Sequence, residues 1–212
     1  MRAVIVAGGT CSPAFFRETI EKMQGPLFLV GADSGCRLFR ETGIKPDIAV
    51  GDFDSVTPEE KASFLRDWPA EVLQPVKDDT DMERAVQLVL EKHPESVVIL
   101  GATGTRLDHT LTNIRLLERF HSAGVAAEIL DEHNRIRLVD GLVRLSRAKQ
   151  YGKYISLLPL DAEAAVTLKG FFYPAEDLIL RRASSLGVSN EIVEETAEIR
   201  TAGLILLMET KD

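Results

Sequence analysis

The sequence is poor in cysteine, histidine, tryptophan and positive charge, and each shortage removes a class of protein. Two cysteines, Cys11 and Cys36, cannot build the disulfide framework of a secreted domain, so a reducing cytosol is expected. No C-x-x-C or H-E-x-x-H spacing occurs, which argues against zinc. No apolar run approaches the ~20 residues of a membrane span. Met1-Arg2 runs straight into the short apolar stretch Ala3–Ala7, so no targeting segment is expected. Lys plus Arg number 25 against 33 Asp plus Glu, a formal net charge of −8. That balance speaks against a general nucleic-acid binder and suits a cationic or metal-bound partner. There is no G-x-G-x-x-G, and Gly104-Thr105-Arg106 lacks the lysine of a Walker A loop. Dinucleotide oxidoreductases and P-loop NTPases are therefore disfavoured.

What remains is an ordinary globular composition. The 212 residues are 45% hydrophobic and 27% charged. A chain of this length should bury roughly 70% of its unfolded surface without covalent staples. Over the first part, short apolar runs alternate with helical patterns, the rhythm of βα units. Strands are expected at Ala3–Ala7, Leu27–Val30, Asp47–Val50 and Val97–Leu100. Their near-continuous apolar character suits a parallel sheet covered on both faces. Helices are expected at Pro13–Met23, Ser34–Glu41, Pro58–Arg66, Asp81–Lys92 and Leu107–His121. Thr80 and Glu83 form a capping box, and Met82, Ala85, Val86 and Val89 continue one apolar stripe.

After Leu130–His133 the rhythm changes to short strands. Arg135–Val139 and Leu142–Arg147 flank Asp140-Gly141, a hairpin-turn dipeptide. Strands are also expected at Tyr154–Leu158, Ala165–Leu168, Ile192–Ile199 and Leu204–Glu209, with a turn at Ala202-Gly203. The fold class is therefore α/β. A doubly wound, mostly parallel sheet with helices over residues 1–130 precedes an antiparallel β domain over 131–212.

In open parallel sheets, ligands bind beyond the carboxyl ends of the strands. The segments expected there are rich in acids: Asp33, then Asp52 and Asp54, then Asp78, Asp79 and Asp81, then Asp108. So many carboxylates along one edge repel one another, and an oxygen-only donor set points to Mg²⁺. In an extended segment, Asp52 and Asp54 would point the same way and could share one ion. Plainer roles compete with this reading. Asp52 or Asp54 could cap a turn, Asp33 could cap the next helix, and Asp81 sits where a helix dipole favours an acid. The glycine-containing loop Gly101–Gly104 opens onto a helix and could cradle phosphate through its N–H groups, as could Gly8-Gly9-Thr10. Arg106 is a fixed cation suited to bidentate phosphate contact, unless it is spent in an ion pair with Asp108 or Glu118. Cys36 is expected to pack rather than react, and core is expected for at least two of Phe171, Phe172 and Tyr173. The residues alone thus indicate phosphoryl-type transfer with Mg²⁺ in the first domain.

Several segments in order resemble the thiamine pyrophosphokinases. They are Ala32-Asp33-Ser34-Gly35, then Pro46-Asp47 with Gly51–Ser55, Asp78–Ala85, Gly101–Asn113 and Gly187-Val188-Ser189-Asn190-Glu191. Together they cover nearly the whole chain. The resemblance departs at Thr105, where the family often has a second glycine. It implies a C-terminal β-sandwich, a cytoplasmic homodimer with active sites at the subunit interface, and transfer of pyrophosphate from ATP to thiamine, releasing AMP. By position it implies Asp52, Asp54 and Asp81 as metal carboxylates, and Asp33, Asp54, Asp81 and Arg106 as catalytic. ATP contacts would come from Asp52, Ser55, Asp78, Thr80, Thr103, Gly104, Arg106, Asp108 and Asn113. Asp33, Ser189 and Asn190 would meet thiamine. A pyrophosphokinase for another primary alcohol such as a hydroxymethylpterin, or a non-catalytic nucleotide or thiamine sensor, are the alternatives. No nucleic-acid or membrane partner is expected.

Overall fold

The structure, a computed structural model, describes residues 1–74 and 80–212. The chain divides into two compact units, Met1–Glu132 and His133–Asp212. Among the described residues, no helix is long and apolar enough to cross a membrane.

Among the described residues, the first unit carries six strands: β1 (Arg2–Val6), β2 (Leu27–Ala32), β3 (Ile48–Gly51), β4 (Ala70–Val72), β5 (Ser96–Leu100) and β6 (Ala126–Leu130). They lie in the order β6-β5-β1-β2-β3-β4, and every pairing is parallel. Five α-helices among the described residues connect them: α1 (Pro13–Lys22), α2 (Cys36–Thr42), α3 (Pro58–Asp67), α4 (Asp81–Leu90) and α5 (Leu107–Ser122). Local chemistry marks their starts. Ser12 accepts from Phe15 N at the head of α1, and Thr57/Glu60 and Thr80/Glu83 form reciprocal capping boxes on α3 and α4. Side chains on a strand alternate between faces. Val4 and Val6 of β1 join a core with Phe16, Phe39 and Phe64 from α1, α2 and α3. Ala3 and Ile5, fully buried, point the other way, and α4 lies against β1 and β2. This is the doubly wound arrangement that continuous apolar strands require.

Two strands of this sheet escape a reading of apolar runs. β4 is three residues long and mostly exposed, and β6 begins Ala-Ala-Glu with its first residues partly open. Neither has the apolar density that announces a buried strand.

The second unit contains β7 (Asn134–Ser146), β8 (Tyr154–Pro159), β9 (Glu163–Lys169), β10 (Ala175–Arg181), β11 (Asn190–Glu191) and β12 (Thr196–Thr210). All its pairings are antiparallel. Here the expected hairpin at Asp140-Gly141 is corrected. Residues 134–146 form one strand, paired with β12 from Ser146↔Thr196 to Asn134↔Thr210. The expected turn at Ala202-Gly203 is likewise an irregularity inside β12, where the register slips between Thr201 and Ile205. Gly141 (φ 66°) and Gly203 (φ 111°) supply left-handed residues to facing bends instead of ending two strands. The first part of β12 pairs with β9 and the last part with β8, so the bend lets one strand serve both halves of the sandwich. Ile155, Leu157, Val166, Leu168, Ile199, Ile205 and Leu207 fill the core between them.

Candidate active site

The chain runs outward from β1 to β4 and then returns to the other side of β1 as β5. The strand order therefore reverses between β1 and β5, the place in an open parallel sheet beyond whose strand ends ligands bind. Both loops are the glycine-containing ones. They are laced together by Ala7 N to Leu100 O (2.8 Å), Gly9 N to Gly101 O (2.7 Å) and Thr10 N to Thr103 O (2.7 Å). A Cβ on Gly9 would lie 2.2 Å from the Thr103 carbonyl oxygen and 2.4 Å from that of Gly101, so only glycine fits.

The two loops border a cavity of about 730 Å³. The loops after β1 and β5 line it together with Asp33, Asp52, Asp54, Ser55, Thr80 and Asp81. Thr103, Gly104, Arg106, Asp108 and Asn113 also line it. Asp78 lies outside the described residues. Ser189 and Asn190 belong to the second unit.

Each acid reaches the cavity by a different device. Asp33 follows β2 in the left-handed region (φ 47°), opens a single 3₁₀ turn, and makes no helix-capping bond. Its Oδ1 is buried without a hydrogen-bond partner. Asp52 follows β3 and is almost fully buried. Its Oδ1 accepts from Asp54 N at 3.1 Å. Asp81 is the first residue of α4, where the helix dipole favours an anion. Carboxylate oxygens of Asp33, Asp52 and Asp81 all lie within 4.8 Å of one another.

Asp54 is not in that trio, because the segment after β3 is not extended. Phe53 takes a left-handed conformation (φ 58°) with its ring buried against Phe64, which breaks the alternation expected of Asp52 and Asp54. Asp54 borders the same cavity and accepts from Ser55 Oγ at 3.0 Å. Lys61 stabilises the turn: its Nζ donates to the Asp52 carbonyl at 2.5 Å and lies 5.9 Å from the centre of the Phe53 ring. Arg37 joins the two acidic loops. It holds Glu60 through two 2.8 Å bonds and donates to the Ser55 carbonyl at 3.2 Å. The Arg37 hydrogen bond holds the Glu60 carboxyl at about 2.

Arg106 and Asp108, also lining the cavity, form an exposed ion pair, with Nη2 2.6 Å and Nε 3.2 Å from the carboxylate. That bond from Arg106, helped by the His109 backbone N–H, holds the Asp108 carboxyl at about 2. The plainer alternative for Arg106 is thus realised, and a phosphate would have to compete for its guanidinium. Asn113 is buried and donates to Ala102 O at 2.8 Å, supporting the glycine loop from α5.

In the second unit, the Asn190 side chain serves its own backbone. Its Oδ1 accepts from Tyr173 N (3.0 Å) and Glu191 N (2.9 Å), and its Nδ2 donates to Tyr173 O (2.9 Å). Ser189 is left-handed (φ 62°) and its N–H donates to Ser156 Oγ at 3.0 Å. Of the three neighbouring aromatics, only Phe171 is core. Phe172 and Tyr173 are largely exposed and pack edge-to-face at 4.9 Å, against the expectation that two would be buried.

Sequence reasoning passed over Arg37, Lys61 and Asp131. The first two act through backbone carbonyls or another side chain, and no spacing advertises that. Asp131 falls where the rhythm changes between domains.

Residues 21–129 match the family model described as thiamin pyrophosphokinase, catalytic domain, and residues 142–206 match thiamin pyrophosphokinase, vitamin B1 binding domain. The chain belongs to the thiamine pyrophosphokinase family. A thiamine pyrophosphokinase from Bacillus subtilis is 34% identical over 181 residues, covering 84% of this chain and 85% of that protein. The crystal structure of the B. subtilis thiamine pyrophosphokinase superposes with a TM-score of 0.87 at 27% identity, over 100% of both chains. A family structure from Geobacillus thermodenitrificans gives 0.86 at 28%, over 100% of this chain and 98% of that one. The Candida albicans enzyme, at 16% identity, shares the fold with a TM-score of 0.85, over 100% and 89%.

Proposed function

We propose that the chain is a thiamine diphosphokinase, moving the pyrophosphoryl group of ATP to the hydroxyl of thiamine to give thiamine diphosphate and AMP. The observation that carries this reading is that two elements line one cavity. A glycine loop at the sheet's switch point suits a polyphosphate, and three carboxylates lining the same cavity suit the cation that accompanies it. The match of the second unit to a vitamin B1 binding domain supports thiamine as acceptor. The pterin and sensor alternatives have no observation of their own.

The acidic trio fits a hard dication. All donors are oxygens, and the buried Asp33 Oδ1 lacks the partner that a buried polar atom requires. Asp33, Asp52 and Asp81 would hold Mg²⁺, with Asp54 bordering the same cavity. When bound, Mg²⁺ supplies neutralisation of the charge on the transferring group.

The chain's own residues do the rest by positioning. The Gly101–Gly104 loop binds the polyphosphate, because Gly9 N and Thr10 N of the loop after β1 are already donated to its carbonyls, against the expectation that Gly8-Gly9-Thr10 would cradle phosphate; Thr103 and Gly104 lie against it, and Asn113 engages the Ala102 carbonyl. Arg106 exchanges part of its bond with Asp108 for a phosphate oxygen. Thr80 holds the head of α4 and so places Asp81. The thiamine hydroxyl oxygen bonds to the β-phosphorus while the bond from that phosphorus to the α–β bridging oxygen breaks. The electron pair departs on AMP, and the hydroxyl proton passes to a carboxylate of the acidic cluster. Thiamine is a cation, and the exposed faces of Phe172 and Tyr173 suit it, with Asn190 fixing the Tyr173 backbone. A cytoplasmic homodimer completes the proposal.

The test is AMP release from Mg·ATP with and without thiamine, with thiamine diphosphate quantified as co-product. Thiamine-dependent AMP in equal amount to thiamine diphosphate is expected. Folded protein that binds Mg·ATP and releases no AMP with thiamine overturns the reading.

A further inference from the structure

The two glycine loops are held by the two residues that follow β6. Thr103 Oγ1 donates to Asp131 Oδ2 at 2.7 Å, and Asp131 is 6% exposed. The next residue, Glu132, accepts from Ser12 N at 2.8 Å, at the point where the first glycine loop becomes the cap of α1. Adjacent residues following one strand thus grip the loop after β5 and the loop after β1.

The consequence is best seen in the carbonyl groups. A loop that receives phosphate must present N–H groups and keep its carbonyl oxygens, which repel an anion, engaged elsewhere. Here the Gly101 carbonyl accepts from Gly9, the Thr103 carbonyl from Thr10 and the Ala102 carbonyl from Asn113. Thr103 is central to this lacing, and its side chain is tied to Asp131. The geometry points to Asp131 as a positioning residue for nucleotide: through Thr103 it fixes the loop in the conformation that receives the polyphosphate of ATP. This inference rests on the proposed use of that loop for ATP. It concerns a residue that touches neither substrate nor acidic cluster, and its effect falls on nucleotide affinity ahead of the chemical step.

A double-mutant cycle tests it, with Kd for Mg·ATP measured by equilibrium dialysis on the full chain and KM and kcat measured in parallel. Asp131→Ala is expected to weaken Mg·ATP binding about tenfold, the scale of one buried hydrogen bond lost beside a binding loop. The effect should appear in KM for ATP more than in kcat, and Asp131→Asn, which still offers an acceptor oxygen, should recover most of it. In a Thr103→Val background, Asp131→Ala should cost less than about twofold, because its connection to the loop is already cut. An equal loss in both backgrounds overturns the inference. So does an Asp131→Ala protein that melts earlier yet binds Mg·ATP as wild type does. Should Asp131→Ala not fold, Thr103→Val alone decides, since wild-type affinity in that variant removes the bond from nucleotide binding. Wild type that binds Mg·ATP but makes no thiamine-dependent AMP refutes the thiamine reading and leaves the Kd comparison valid.

Discussion

Replacing Asp33 by asparagine should stabilise the metal-free protein and disable it. Asp33, Asp52 and Asp81 hold carboxylate oxygens within 4.8 Å of one another. Two unit charges at that limit repel by about 3.5 kcal/mol at an effective dielectric of about 20. Asp33 and Asp81 are partly open to solvent, so screening reduces the net relief to about 1 kcal/mol. Asparagine is isosteric and tolerates the left-handed backbone that Asp33 occupies (φ 47°), so the substitution adds no new strain. A gain of about 1 kcal/mol in a unit of this size raises the melting temperature by ~2–4 °C. The assay is thermal melting with EDTA and again across a Mg²⁺ series, followed by AMP release at saturating ATP. Wild type should climb in melting temperature with Mg²⁺, as mass action demands, and Asp33→Asn should climb less. Turnover should fall by about 10²–10³, the usual loss when one preorganised charge is removed from a transition state. A variant that melts below wild type in EDTA, responds to Mg²⁺ as wild type does and keeps its turnover would refute the reasoning.

Other expectations follow from single contacts. Gly9→Ala forces a Cβ to 2.2 Å from a backbone oxygen, so the two loops must part; Mg·ATP affinity should drop at least about tenfold, read by dialysis. Asn190→Ala strips partners from three backbone groups around Tyr173 and should destabilise the second unit by about 2–4 kcal/mol in urea unfolding, with KM for thiamine rising. Burial, then the charges of Glu132 and Asp131, pushes the Cys11 thiol up to about 12, against an ordinary 9.0. Native protein at neutral pH should thus react with iodoacetamide roughly 10³-fold more slowly than a free thiol, and rapid stoichiometric labelling would contradict this. Asp108 is depressed from 3.8 to about 2, so its pairing with Arg106 is in place above pH 3.8 and is lost as the pH falls through about 2. A carboxyl titration of Asp108 by NMR with a midpoint near the ordinary value would show that the pair does not persist in solution.

Much of the first unit was legible because its elements announce themselves locally. Val97–Leu100 is a continuous apolar run, and Thr80 with Glu83 marks a helix start, and the structure places β5 and α4 there. β4 and β6 were not legible, because a short or half-open strand carries too few apolar residues to separate it from a loop. In the second unit, Asp140-Gly141 has the chemistry of a hairpin turn, yet β7 runs through it. A left-handed glycine serves a turn or a bend equally well, and the choice was made by pairing with β12, some sixty residues away in sequence.

The site repeats this lesson at the scale of single dihedrals. The acids could be gathered to one sheet edge from their positions after strands, which is a topological argument. Which of them converge is decided by backbone geometry that spacing does not encode. Alternation makes Asp52 and Asp54 partners only if Phe53 is extended. Phe53 is instead left-handed, held by burial of its ring and by Lys61 on the preceding carbonyl, and the turn separates the pair. Asp33, also left-handed, takes the place by Asp52 and Asp81 that Asp54 vacates. Non-glycine residues in that region cost of order 1 kcal/mol or more each, and such strain persists only where the surroundings impose it. Two of them flanking one carboxylate cluster show that the fold spends stability on this geometry. Loosening the turn without emptying the core, as in Lys61→Met, should therefore leave the protein folded while loosening the acids, and the loss should appear as weaker Mg²⁺ stabilisation before any loss of structure.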